Sequence, residues 1–109
     1  MKKFLLLYKS SVSAEEMMKN SDPEAGKKMM EAWMQWFQKV GSAVVDGVNT
    51  TQAVATVGSK FKDEGHIGGY SIIQAENLEK AKEMLDGHPH LMMDGNSIEV
   101  LEILPMPGM

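Results

Sequence analysis

Apolar and polar positions follow a two-residue period in three parts of the chain and a helical period in two others. Phe4 to Lys9 reads as a strand, with Leu5 and Leu7 on one face and Phe4, Leu6 and Tyr8 on the other. A Gly68-Gly69 pair opens a second strand, Tyr70-Ser71-Ile72-Ile73-Gln74-Ala75. A third runs from Ser97 to Leu104, with Ile98, Val100 and Leu104 on one side and Leu101 and Ile103 on the other. The long helical stretch starts at Asp22-Pro23, Asp as cap and Pro at the first helical position, and runs to about Val40, where Gly41 stops it. Met29, Trp33, Trp36, Phe37 and Val40 recur along it at the spacing of one buried stripe. Asn77 caps a second helix, Leu78 to Leu85, whose Leu78, Ala81, Met84 and Leu85 form its apolar side.

Smaller elements fill the gaps. Ser13 with Glu16 has the spacing of a capping box, which predicts a short helix from Ala14 to about Lys19. Val44-Val45-Asp46-Gly47 reads as a short strand ending in a turn, Asn49-Thr50-Thr51 as loop, and Ala53 to Val57 as an extended piece. Gly58 to Gly68 is a polar connector, and His88-Pro89-His90 and Asp94-Gly95-Asn96 are turns. The order is β-α-β, a connecting segment, then β-α-β. It predicts a single α+β domain over residues 1–109, ferredoxin-like, with a four-stranded antiparallel sheet and both long helices on one face.

That arrangement leaves a difficulty. Both sides of the strands are apolar, and helices on one side cover only half of that surface. In a chain of 109 residues a second copy is the expected cover, so a homodimer is predicted.

Composition narrows the partners. The net charge of −4 and scattered lysines argue against nucleic acid, which needs clustered cations. The absence of cysteine removes disulfides, thiolate metal sites and a thiol nucleophile, and fits a cytoplasmic protein. Lys2-Lys3-Phe4-Leu5-Leu6-Leu7 begins like a signal peptide, but its apolar run stops at Tyr8-Lys9. No stretch is long and apolar enough for a membrane span, so no membrane partner is expected. The eleven methionines suit gap-filling in a core or an adaptable pocket wall.

Met1-Lys2-Lys3-Phe4-Leu5-Leu6-Leu7-Tyr8, the Gly68-Gly69-Tyr70-Ser71-Ile72-Ile73 strand, the Asn77-Leu78-Glu79-Lys80-Ala81 helix start and Ser97-Ile98-Glu99-Val100 together resemble the YCII-related proteins. The branch resembled is the one named for an Asp-Gly-Pro-Phe (DGPF) motif. The resemblance spans nearly the whole chain and implies a dimeric α/β barrel, two ferredoxin-like protomers packed sheet to sheet with a small pocket in each. The chain departs from the family twice. Lys60-Phe61-Lys62-Asp63-Glu64-Gly65 stands where the motif would be. Some members carry a His on the first helix and an Asp before a Pro in the second half; here the first long helix has no His, and His88 precedes the Pro. The dehydrochlorinase-type reaction of one branch is therefore disfavoured.

Several residues carry candidate chemistry. His88 and His90 are the candidate acid-base pair, since an imidazole with a reference pKa of ~6.5 suits proton transfer near neutrality. Two imidazoles flanking Pro89 could reach one metal only with a third ligand such as Asp86, Asp94 or Glu99; a solvated turn at a helix end explains them as well, and no metal or cofactor is expected. Trp33 and Trp36 with Tyr8 could line a cavity for a flat or aromatic ligand, although their helical spacing fits core packing better. Asp46 is placed to point between sheet and helix, or to form a turn. Glu99 and Glu102 each share a strand face with apolar neighbours, so one is either drawn into an apolar setting or kept wet at a sheet edge. No Gly-x-Ser-x-Gly elbow occurs, and the Gly65–Gly69 glycines lack the context of a phosphate loop. The expected function is small-molecule binding between sheet and helices, with acid-base turnover through His88 or His90. The alternative is a non-catalytic homodimer that binds a metabolite or a protein.

Overall fold

The computed structural model describes residues 1–12, 16, 19, 22–52, 54, 55, 57, 58, 66–93 and 95–105, and only the backbone of Val48. Strand β1 (Lys2–Ser10) is followed by helix α1 (Pro23–Val40), β2 (Val44–Thr50), β3 (His66–Ala75), helix α2 (Leu78–Met84) and β4 (Ser97–Glu102). The strands form one sheet in the order β2-β3-β1-β4. Every described pairing is antiparallel. This is the ferredoxin-like α+β arrangement that the order of elements predicts.

Local chemistry sets the helix ends. The Asp22 carboxylate accepts from the Glu24 amide at 3.2 Å, and Pro23 occupies the first turn, where its missing N–H leaves nothing unsatisfied. Gly41, at φ 53°, ends α1 with its amide donating to the Phe37 carbonyl. Asn77 caps α2 by accepting from the Lys80 amide at 2.9 Å.

Strand alternation sorts the core. Phe4, Leu6 and Tyr8 of β1 and Ser71, Ile73 and Ala75 of β3 are buried, and they pack with Trp36, Ala81 and Leu85 from the helices. Each large apolar side chain so buried contributes about 1.5–3 kcal/mol. Leu5, Leu7, Tyr70 and Ile72 point to the opposite face and are half-buried. Leu101 of β4, paired with Leu5, is 40% exposed, and Ile103 beyond it is 45% exposed. Among the described residues no helix packs on that face.

Several boundaries differ from the sequence reading. Strand β2 extends past Gly47 to Thr50, because Asn49 and Thr50 pair with Tyr70 and Gly69 after register irregularities on either side of Asp46. Strand β3 begins at His66, which pairs with Ser10, so the connector is shorter than its polarity suggested. The described residues of 51–58 belong to no strand. Leu78 lies on the outer side of α2 and is exposed. The short helix expected from Ala14 falls largely outside the described residues.

Glycine is required at Gly69. A Cβ there would stand 2.7 Å from the Asn49 carbonyl oxygen and 3.5 Å from the Tyr8 ring. The absent side chain lets β2 close on β3 and leaves room for Tyr8 to lie across the sheet.

Candidate functional site

The chain after α2 builds the site. Gly87, at φ 72°, turns it out of the helix, and Pro89 holds His88 extended at φ −60° and ψ 138°, as its position before a proline predicts. The His88 amide donates to the Leu85 carbonyl at 3.1 Å, and its carbonyl accepts from the Leu91 amide at 3.0 Å. These bonds drive the imidazole inward, where it is 0% exposed. Its Nδ1 accepts from the His90 amide at 3.0 Å, capping the 3-10 turn of Pro89–Met92. The lone pair is therefore engaged and the ring proton sits on Nε2, which has no hydrogen-bond partner among the described residues.

Aromatic rings enclose this imidazole. Trp36, Trp33 and Tyr8 lie at centroid distances of 4.5, 4.7 and 5.2 Å, with Trp33 nearly perpendicular at 88°. Burial without a compensating carboxylate pushes the His88 pKa down to about 3, and the neighbouring His90 adds to the shift. His88 is thus a neutral hydrogen-bond donor at neutral pH. With Nδ1 engaged by the His90 amide, the Nε2–H is the group that His88 presents to its surroundings.

Two of the enclosing rings are pinned. The Tyr8 hydroxyl donates to Ser71 Oγ at 2.6 Å, and burial pushes its pKa up to about 12 despite that bond. Trp36 Nε1 donates to the Met84 carbonyl at 2.8 Å, tying α1 to the end of α2. Trp33 is half-buried, and its indole N–H has no partner among the described residues. His90 also sits against Tyr8, at 5.2 Å between centroids. Its Nε2 lies 2.9 Å from the Lys9 carbonyl, to which it donates. The Asn96 amide donates to the His90 carbonyl at 3.0 Å and reaches Nδ1 only at 3.5 Å.

The structure therefore brings Tyr8, Trp33, His88 and His90 together and leaves Asp46 and Glu99 apart. Asp46 pairs with Ile72 in register, which puts it on the open face, where its carboxylate takes the Asn49 amide at 3.3 Å. It does not enter the space between sheet and helices. Glu99 pairs with Leu7 on the same open face and is exposed. Strand β4 is a sheet edge, and this keeps both of its acids wet: Glu102 forms an exposed ion pair with Lys2 at 3.3 Å. His88 and His90 do not converge on a common point, since one spends Nδ1 on its neighbour's amide and the other spends Nε2 on Lys9. No cluster of three metal-ligating residues exists among the described residues.

Sequence reasoning weighed Trp36 between cavity wall and core and passed over Ser71. A signal for Ser71 was present: a lone hydroxyl at a core-facing position between Gly69 and Ile73, diagonal to Tyr8 once the strands are paired. Depressions elsewhere on the surface, about 440 Å³ beside Val40 and Met84 and about 860 Å³ beside Ile98 and Val100, are not lined by His88. No helix among the described residues is long and apolar enough to cross a membrane.

No protein-family model matches the chain, and no match supports the YCII-related or DGPF resemblance at the level of family. No curated protein matches it by sequence. Among solved structures, it is similar to 5-chloro-2-hydroxyhydroquinone dehydrochlorinase from Burkholderia phenoliruptrix AC1100, in complex with 2,5-dihydroxybenzoquinone. The TM-score is 0.54 over 91% of this chain and 90% of that one, with 13% sequence identity. What the two chains share at that identity is the α+β fold.

Proposed function

We propose that this protein is a small-molecule-binding homodimer of the YCII-related type, taking a planar, oxygen-bearing ring at the Tyr8–Trp33–His88–His90 cluster. One observation carries the reading: a fully buried imidazole whose Nε2–H has no acceptor among the described residues. An unmet buried donor costs about 1–3 kcal/mol, and a ligand oxygen would recover it. Three aromatic rings around the imidazole suit an aromatic or planar partner. The fold neighbour's complex with a dihydroxybenzoquinone agrees with that class of ligand. The homodimer rests on the open face, where Leu5, Leu7, Tyr70, Ile72, Leu101 and Ile103 form an apolar surface that a second copy would cover.

The locked, neutral state of His88 favours binding over turnover, and the first helix lacks the His that dehydrochlorinase chemistry in the family would use. Any acid-base step falls to His90, whose Nδ1 is the more available. The test is a titration with 4-pyranone, an uncharged planar ring bearing a carbonyl oxygen, following the His88 Nε2–H signal by nitrogen-edited NMR. A downfield shift of that proton on binding is expected. Binding that leaves it unmoved, or no binding at millimolar probe, rejects the site.

A further inference from the structure

The enclosed imidazole raises a question of access. His88 Nε2–H is buried beneath ring neighbours, so a ligand reaches it only if one of them moves. Tyr8 is held by its 2.6 Å bond to Ser71 and is buried, and Trp36 is held by its 2.8 Å bond to Met84 and is buried. Moving either ring breaks a hydrogen bond, buried for Tyr8 and part-buried for Trp36, and takes a buried ring out of the core. Trp33 alone of the three is half-exposed and makes no hydrogen bond among the described residues. Its departure loses ring contacts to His88, Tyr8, Trp36 and Phe37 but strands no polar group.

Resting on the binding site proposed above, we infer that Trp33 is the gate of that site and that the ligand takes its place. The indole swings outward about its side-chain torsions, and the space it vacates sets the ligand's shape. That space is flat and bicyclic, bordered by Tyr8, Trp36, Phe37 and His88. The class of ligand follows: an uncharged planar ring system no larger than indole, carrying a carbonyl or ether oxygen at its edge to accept from His88 Nε2. A cation has no counter-charge there, and a neutral imidazole adds no positive charge to draw an anion. The ligand's ring contacts substitute for those the indole gives up, so the oxygen supplies the discrimination.

The probe is 1-indanone, a flat bicyclic ketone of indole's size, with indane as the analogue that lacks the oxygen. The chain has two tryptophans, so 5-fluorotryptophan gives two fluorine signals, assigned with Trp33→Phe. On adding 1-indanone, the Trp33 signal should move to the position of a solvated indole while that of Trp36 stays near its place, and indane should bind at least tenfold more weakly. If the open state holds about one molecule in ten, Trp33→Ala should bind 1-indanone about tenfold more tightly. Association to the wild type should level off with concentration as opening becomes limiting; that of the variant should rise linearly. Should Trp33→Ala fail to fold, Trp33→Leu and the labelled wild type carry the same test. A bound complex that shifts the His88 proton with the Trp33 fluorine unmoved overturns the gate and spares the site. A silent His88 proton in both wild type and Trp33→Ala overturns the site, and the gate with it.

Discussion

The two faces of one sheet differ more than their sequences do. Phe4-Leu5-Leu6-Leu7-Tyr8 supplies both, yet Phe4, Leu6 and Tyr8 are sealed beneath helices while Leu5 and Leu7 are only half-covered. The sealed face also holds the polar oddities: the Ser71 hydroxyl, the Tyr8 hydroxyl bonded to it and the His88 imidazole. The open face carries ordinary exposed acids, Asp46 and Glu99, among aliphatic groups. A protein core normally excludes polar groups, and a wet surface normally lacks contiguous oil. Each face breaks its own rule, which is why the proposed binding site is put on the sealed face and the proposed dimer contact on the open one.

Truncating matched leucines on the two faces separates those roles most sharply. Leu6 is 0% exposed and packed on all sides, so Leu6→Ala should lower unfolding free energy by about 3 kcal/mol through lost transfer and a residual cavity. Leu5→Ala, one residue away but on the open face, should cost the isolated protomer under about 1 kcal/mol, since less area leaves water and no closed cavity forms. Urea unfolding at low protein concentration reads both. Equal losses would mean that the open face is as well packed as the sealed one.

How far the sequence disclosed this contrast depended on the range of the interaction. The alternation in Phe4–Tyr8 and the Trp33-Trp36-Phe37-Val40 stripe reported faces correctly, because periodicity is a local property that burial rewards everywhere along an element. The caps at Asp22 and Asn77 were legible for the same reason, one side chain serving an amide two or three residues on. Strand β2 was not. Asn49 is a turn former by propensity and follows Gly47, and only pairing with β3, some twenty residues later, carries the strand through to Thr50. The site was legible in part. Pro89 announced an extended His88, but that the imidazole would be buried and neutral depended on three rings from β1 and α1. Asp46 failed as a pocket residue because a register irregularity, invisible in the sequence, decided its face.

The second test probes what sealing does to a titratable group. An unfolded His88 takes up a proton near ~6.5, whereas the folded one resists until about 3. Between those values the unfolded chain binds the extra proton. The stabilisation from a neutral His88 is therefore complete above about pH 6.5 and lost as pH falls through that window, by up to ~1.4 kcal/mol per pH unit. His88→Asn keeps an oxygen for the His90 amide but does not titrate there. Thermal or urea unfolding of the variant at pH 5 and pH 7 should show a pH dependence smaller than that of the wild type by about 1–2 kcal/mol. Parallel curves for the two proteins would place the imidazole in contact with water or with a carboxylate.

The smallest expected effect on the protomer is the most telling about the open face. Leu101 sits on the edge strand opposite Leu5 and is 40% exposed, so Leu101→Lys removes little buried area and adds a charge that stays hydrated in a lone protomer. Its unfolding free energy at submicromolar concentration should change by less than about 0.5 kcal/mol, as for an ordinary surface substitution. At tens of micromolar the wild type should gain stability from self-association while the variant does not, because a lysine caught between two apolar sheets loses its hydration without a partner. Sedimentation equilibrium then reads a dimer for the wild type and a folded monomer for Leu101→Lys. A wild type that stays monomeric throughout this range would mean that Leu5, Leu7, Tyr70 and Ile72 bear their exposure unaided, and the open face would lose its claim to be an interface.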